Sequence, residues 1–336
     1  MTLTKRLWIF VFFALLLAFS LALFFYSRAL APASEERKGI YIRVLPGEGI
    51  ANVLRRLEGA RVLKSATAAK MYASLFHRNS KLVEGTYELS PSMSAPEILN
   101  VLFSGKPIRQ FITIREGLWM ERIASLLAER SVASREELLE AFRHREHCRE
   151  ILGFEIPAKT LEGYLFPDTY DFPPLCGADT VIRKMLTAFR KKVYERLKKP
   201  SPEKMHKWLI IASMVELEAV KDEERARIAG VIYNRLARKM KLQIDATVAY
   251  AKGEWSPVTR ADYRIKHPYN TYVIDGLPPG PICSPGLASI LAAISPEKHE
   301  WLYYVAMPDR SHRFAKTYEE HLKNIEKSRK AFEKAQ

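Results

Sequence analysis

From Leu7 to Tyr26 the chain runs for twenty residues without a charge. At a rise of about 1.5 Å per residue, a helix of that length crosses the hydrocarbon of a bilayer. This run divides the chain before any other feature is considered. Lys5 and Arg6 precede it, and a short basic end stays on the cytoplasmic side, so residues 1–6 read as a cytoplasmic tail, 7–26 as a transmembrane helix and everything beyond as extracytoplasmic. A cleaved signal peptide is the competing reading, because Ala29-Leu30-Ala31 has the small-residue character of a cleavage site. The apolar core is longer than the ~7–15 residues usual for a signal, which favours a retained anchor. The net charge of +15 implies an anionic partner or surface. Outside the cytoplasm that surface is the cell envelope, and nucleic acid is excluded as the partner.

Residues 27–39 are a polar link. Ile40-Tyr41-Ile42-Arg43-Val44 then alternates as a strand, Pro46-Gly47-Glu48-Gly49 turns, and Ile50, Val53, Leu54 and Leu57 recur at helical spacing. The plan returns further on: Phe111-Ile112-Thr113-Ile114 alternates, Arg115-Glu116-Gly117 turns, and Trp119, Ile123 and Leu126 form a helical stripe. Each copy ends in a polar stop, where Ser65 or Ser134 can cap another helix. Residues 40–155 therefore read as one region with a degenerate internal repeat. Its strand–helix units resemble LysM-like glycan-recognition modules; a packing domain without a ligand is the other reading.

Residues 156–336 form the third part. Ser201 is a good N-cap, Pro202 suits the first helical position, and no glycine or proline interrupts the chain from there to Glu218. Trp208 to Val215 carries no charge, which predicts a buried helix driving Glu216 into an apolar wall. Desolvation raises a carboxyl pKa, the state a general acid needs near neutral pH. The plainer alternative is that Glu216 ends the buried stretch and meets solvent or an arginine. Glu218 lies roughly 200° further round the helix and is expected to be solvated or ion-paired.

Other stretches are less regular. Glu162-Gly163-Tyr164-Leu165-Phe166-Pro167-Asp168-Thr169-Tyr170 has neither helical nor strand period and reads as a core plug or a cleft wall. Lys241 to Thr247 alternates, which places Gln243, Asp245 and Thr247 on one face of an extended segment. Gly276 to Gly286 holds four prolines and three glycines, a rigid irregular loop suited to positioning a substrate. The three cysteines form no disulfide framework, with a Cys148–Cys176 pair left open, and no cluster has zinc spacing, so neither a metal nor a cofactor is expected.

Taken together the motifs resemble the YceG-like endolytic murein transglycosylases. They are EGYLFPDTY (162–170), ASMVELEA (212–219), VIYNRL (231–236), LQIDATVAYA (242–251), PYNTY (268–272), GLPPGPICSPG (276–286) and HRF (312–314). The resemblance covers nearly the whole chain. It implies an α+β fold with a single transmembrane helix, a LysM-like α/β region and a mixed α+β catalytic domain. It also implies a single-pass protein of the bacterial inner membrane whose catalytic domain is periplasmic, cutting peptidoglycan glycan strands without a cofactor beside penicillin-binding synthases. Glu216 takes the place of the catalytic glutamate, with Ser213, Gln243, Asp245, Tyr269 and Asn270 beside the cleft. Thr247, on the face of Gln243 and Asp245, and Glu162, in the aromatic motif, complete the substrate-binding set. The chain departs from the family at Leu217 and Ala219 (usually Lys and Thr), Ala246 (Pro), Ser284 (Asn) and Ser311 (Gly), positions that bear on substrate contacts. Two rivals stay open: a hydrolase with Asp245 as second carboxylate, and a non-catalytic glycan-binding anchor.

Overall fold

The structure is a computed structural model that describes residues 3–78 and 80–335. The protein is an α+β chain that opens on α1, Leu3–Leu30. Residues 7–30 have a mean hydropathy of 2.7 with an apolar stretch that has no buried residue, so this helix is long and apolar enough to span a membrane, and its C-terminal end, through Tyr26 and Leu30, touches the rest of the chain. Of the expected tail, residues 1 and 2 lie outside the described residues, and Leu3 to Arg6 already belong to the helix. The helix also outlasts Tyr26 by four residues, shortening the link after it.

Two compact units follow from the packing: residues 1–110 with 173–176, and residues 111–172 with 177–336. In the first, β1 (Ile40–Val44), α2 (Ile50–Gly59), α3 (Ala66–Phe76) and β2 (Gly85–Leu89) make a β–α–α–β unit, followed by α4 (Ala95–Phe103). β1 and β2 pair antiparallel, Ile42 opposite Tyr87. Val53, Leu54 and Leu57 of α2 close on Ile98, Leu99 and Leu102 of α4.

The second copy of the repeat lies in the second unit, because β3 (Phe111–Thr113) pairs with β4 (Thr169–Asp171), well beyond it in sequence. The packing divides the chain at 110/111, whereas the sequence places a boundary near residue 155, where Glu155-Ile156-Pro157-Ala158 reads as a linker. The repeat itself is real in backbone detail. After α2, Arg61 adopts φ 58° while the Val62 and Arg61 N–H groups donate to Leu57 and Glu58 carbonyls. After α5 (Met120–Glu129), Ser131 adopts φ 57° and Val132 and Ser131 donate to Leu127 and Ala128. Both are Schellman stops made without glycine. Ser65 then caps α3 through the Ala68 N–H, and Ser134 caps α6 (Arg135–Arg143) through Glu137.

Helices α7 (Glu146–Leu152) and α8 (Gly177–Phe189) flank β4. Next comes α9, Pro202–Glu218, capped by the Ser201 hydroxyl and buried continuously from Leu209 to Val215, as its sequence predicts. It packs on α10 (Arg225–Ala237) and α12 (Leu287–Ile294), with α11 (Asp245–Lys252) also against it. The hairpin β5 (Tyr303–Ala306) and β6 (His312–Ala315), backed by α13 (Tyr318–Ala335), completes the unit. The HRF motif lies on β6, where the His312 N–H and Nδ1 meet the buried Glu224 carboxylate at 2.9 and 2.7 Å. That contact ties the hairpin to the turn between α9 and α10.

Candidate active site

The last turn of α9 presents two glutamates to different surroundings. Glu216 Oε1 accepts from Arg225 Nη1 at 3.1 Å and its Oε2 accepts from the Gly286 N–H at 2.9 Å. The side chains of Glu216 and Arg225 are 6% and 11% exposed. Arg225 also donates to Ser289 Oγ at 2.6 Å and to Asp222 at 2.9 Å. Glu216 is thus one half of a buried ion pair that locks α9 to α10 and α12. Both its oxygens are committed to protein donors, which is the plainer of the two sequence expectations.

Glu218 points the other way, into a cavity of about 320 Å³ lined with Arg235, Gln243, Asp245, Tyr272 and Tyr304. Its Oε2 accepts from the Tyr304 hydroxyl at 3.0 Å. Burial pushes its pKa up to about 7; the Tyr304 hydrogen bond opposes that rise and the Asp245 charge adds to it. The carboxyl expected to be solvated or ion-paired is therefore raised to about 7 by burial, and the one expected to be the acid stands in an ion pair. The helix turned both residues as anticipated. What differed was the partner each met.

Asp245 accepts from the Tyr272 hydroxyl at 2.6 Å and from Tyr263 at 3.4 Å, and the two rings stack with centroids 4.0 Å apart. Gln243 reaches the cavity from a left-handed backbone, φ 52°. Its N–H donates to the Thr271 carbonyl, while Arg235 pins the Leu242 and Leu302 carbonyls at 2.8 and 2.6 Å. The extended segment expected from Lys241 to Thr247 does not form. Asp245 opens α11, so Thr247 turns away from the cavity into the core. There Thr247 donates to the Ile244 carbonyl at 2.6 Å and lies 2.9 Å from Thr271 Oγ1, fully buried. It holds the loop and has no surface for a substrate.

Two more expected contacts prove internal. Ser213 donates to Ile210 and accepts from the Ile282 N–H, pinning the proline-rich loop to α9. Asn270 gives its amide to the Tyr263 and Ile265 carbonyls and accepts from the Tyr272 N–H, folding the PYNTY loop so that Tyr272 reaches Asp245.

Glu162 and Tyr269 line a different cavity, of about 720 Å³, together with Trp119, Tyr250 and Pro281. Glu162 is 2% exposed. Its Oε2 accepts from the Met120 N–H at 3.1 Å and the Tyr250 hydroxyl at 3.3 Å. Burial pushes this carboxyl up to about 8, against the Met120 and Tyr250 bonds. Gly163 lets the motif reach this position: its φ is +80°, and a Cβ there would sit 2.5 Å from the Pro281 ring.

The residues that sequence reasoning missed at the first cavity are Glu218, Arg235, Tyr272, Tyr304 and His321. Tyr272 and Arg235 stood inside recognised motifs. Tyr304 and His321 carry no sequence signal, since only the folding of the β5–β6 hairpin and α13 brings them to the end of α9.

The YceG-like family model matches residues 42–327 of this chain. The chain is 33% identical over 323 residues to an endolytic murein transglycosylase of Bacillus subtilis, covering 90% of this chain and 89% of that protein. It is 30% identical over 324 residues to the Streptococcus pneumoniae protein of the same name, covering 87% of this chain and 59% of that longer relative. A crystal structure of a yceG-like protein from Listeria monocytogenes aligns with a TM-score of 0.58 at 33% identity, over 85% of this chain and 99% of the other.

Proposed function

This chain belongs to the YceG-like family, and from that premise we propose that it is a membrane-anchored lytic transglycosylase cutting the β-1,4 bond between N-acetylmuramic acid and N-acetylglucosamine within peptidoglycan strands. The observation that carries the reading is Glu218: a carboxyl in a polar cavity, raised to about 7 and facing Asp245 and Gln243. Near neutral pH such a group gives and takes protons with little bias, as one residue must when it serves as acid and then as base. Protonated Glu218 gives its proton to the glycosidic oxygen as the C1–O4 bond breaks. The resulting carboxylate takes the proton of the muramyl C6 hydroxyl, whose oxygen bonds to C1 and closes a 1,6-anhydro ring. No water enters. Asp245 lies beside the developing positive charge at C1, and its two tyrosine bonds position it as an electrostatic partner rather than a nucleophile. The buried Glu216–Arg225 pair sets the rotation of the α9 end that carries Glu218. Digestion of purified murein followed by mass spectrometry of the fragments is expected to show anhydro-muramyl ends; reducing ends would make the protein a hydrolase and restore Asp245 as the second carboxylate.

We place the cavity outside the cytoplasm, with α1 as a single retained anchor in the inner membrane, on the strength of the apolar length of that helix and of Lys5 and Arg6 ahead of its apolar run. The β–α–α–β unit, as a LysM-like module, would hold glycan near that surface. A C-terminal reporter should be digested by protease added to spheroplasts. Its full protection, or a mature N-terminus at Pro32, would contradict this topology.

A further inference from the structure

The larger cavity has its own unsatisfied chemistry. Two buried polar atoms on residues that line it, Trp119 Nε1 and Glu162 Oε1, have no hydrogen-bond partner among the described residues. Native folds seldom leave such atoms unpaired, and both belong to side chains that line one cavity, where a ligand can complete the set. Because the Glu162 carboxyl is raised to about 8, it is a neutral acid at physiological pH. Its Oε2 already accepts from Met120 and Tyr250, so the proton resides on Oε1. Both orphans are therefore donors, and they ask for an acceptor such as a carbonyl oxygen.

The walls specify the rest of the ligand. Trp119 meets Tyr250 with ring centroids 5.5 Å apart and Tyr250 meets Tyr269 at 4.8 Å, three rings that line the cavity together. Aromatic faces of this kind suit the C–H face of a sugar ring, and about 720 Å³ is ample for one or two pyranoses. The cavity shares no lining residue with the one at Glu218.

We propose that this cavity is a second glycan site that takes an N-acetylated hexosamine, its acetamido carbonyl accepting from Trp119 Nε1 and Glu162 Oε1 and its ring resting on the aromatic wall. The proposal rests on the reading of the substrate as an N-acetylated glycan. It adds a grip away from the bond that is cut, which requires the acetyl group.

The test is calorimetric titration of the full chain in detergent micelles, in the Glu218→Gln background so that nothing is turned over. The probes are N,N′-diacetylchitobiose, cellobiose, which lacks the acetamido group, and N-acetyl-D-alanyl-D-alanine, which supplies amides without a sugar. Diacetylchitobiose is expected to bind and cellobiose not. Trp119→Phe should weaken binding by about three- to tenfold, the worth of one hydrogen bond, and because the smaller ring also gives up packing against Tyr250 and Trp255 its melting curve is recorded to show that it is folded at the titration temperature. Glu162→Gln should keep most of the affinity, since its amide N–H replaces the acid O–H, whereas Glu162→Leu should lose it. Undiminished binding by Trp119→Phe, equal binding of cellobiose, or preference for the dipeptide would each overturn the proposal. If diacetylchitobiose fails to bind while the parent enzyme still releases anhydro ends, this inference alone falls. If the parent leaves reducing ends, the mechanism falls and the binding result stands.

Discussion

Glu218→Gln is expected to reduce murein turnover by at least ~10²–10⁴, the contribution of general acid–base catalysis, while the protein melts as the parent does. The substitution keeps the acceptor that the Tyr304 hydroxyl uses and removes only the titrating proton. Glu216→Gln is the comparison: it should cost stability, because it removes a buried charge from Arg225, and should cost less in turnover. The pH profile supplies an independent readout. Burial raises Glu218 to about 7 and the Asp245 charge adds to the shift, so the acid form needed for the first step is lost as pH rises through 7 and kcat/KM falls there. Asp245→Asn takes away a charge that disfavours the Glu218 anion, lowers the Glu218 pKa and moves that limb to lower pH. A folded Glu218→Gln protein that cleaves at the parent rate, with Glu216→Gln inactive, would return the acid to Glu216.

Arg225→Ala should destabilise the second unit by about 3–5 kcal/mol, the cost of leaving a buried carboxylate without its cation. Glu216 would keep only the Gly286 N–H, and Ser289 would lose its charged donor. Combining Arg225→Met with Glu216→Gln should recover part of the loss, since neither member of the pair is then left charged and buried. Urea denaturation of Arg225→Met, Glu216→Gln and the double variant, beside Arg225→Ala, measures this. Additive losses, with no recovery in the double variant, would show that the pair contributes nothing as a pair. Because α12 and the proline-rich loop hang on the same contacts, Arg225→Ala should also lower activity while leaving the pH limb near 7.

Several elements were legible because their causes are local. The charge-free run of α1, the Ser201 cap and uninterrupted apolar stretch of α9, and the paired strand–turn–helix copies all depend on residues a few positions apart. The segment from Lys241 to Thr247 was not, because apolar alternation over seven residues does not distinguish a strand from a loop entering a helix. The buried Thr247–Thr271 contact decided it. The motifs likewise marked stretches that line cavities but could not separate residues that touch a cavity from those that shape it, as Ser213 and Asn270 do.

The sequence by itself determined that α9 ends in two carboxylates on different faces, since 3.6 residues per turn leaves no other arrangement. Which one meets a cation and which one faces a polar cavity was decided only by the packing of distant elements. Arg225, reached through the turn after α9, faces Glu216; Tyr304 and Asp245, brought by β5 and α11, surround Glu218. Helical periodicity is a property of neighbours along the chain, whereas a carboxyl pKa is a property of neighbours in space.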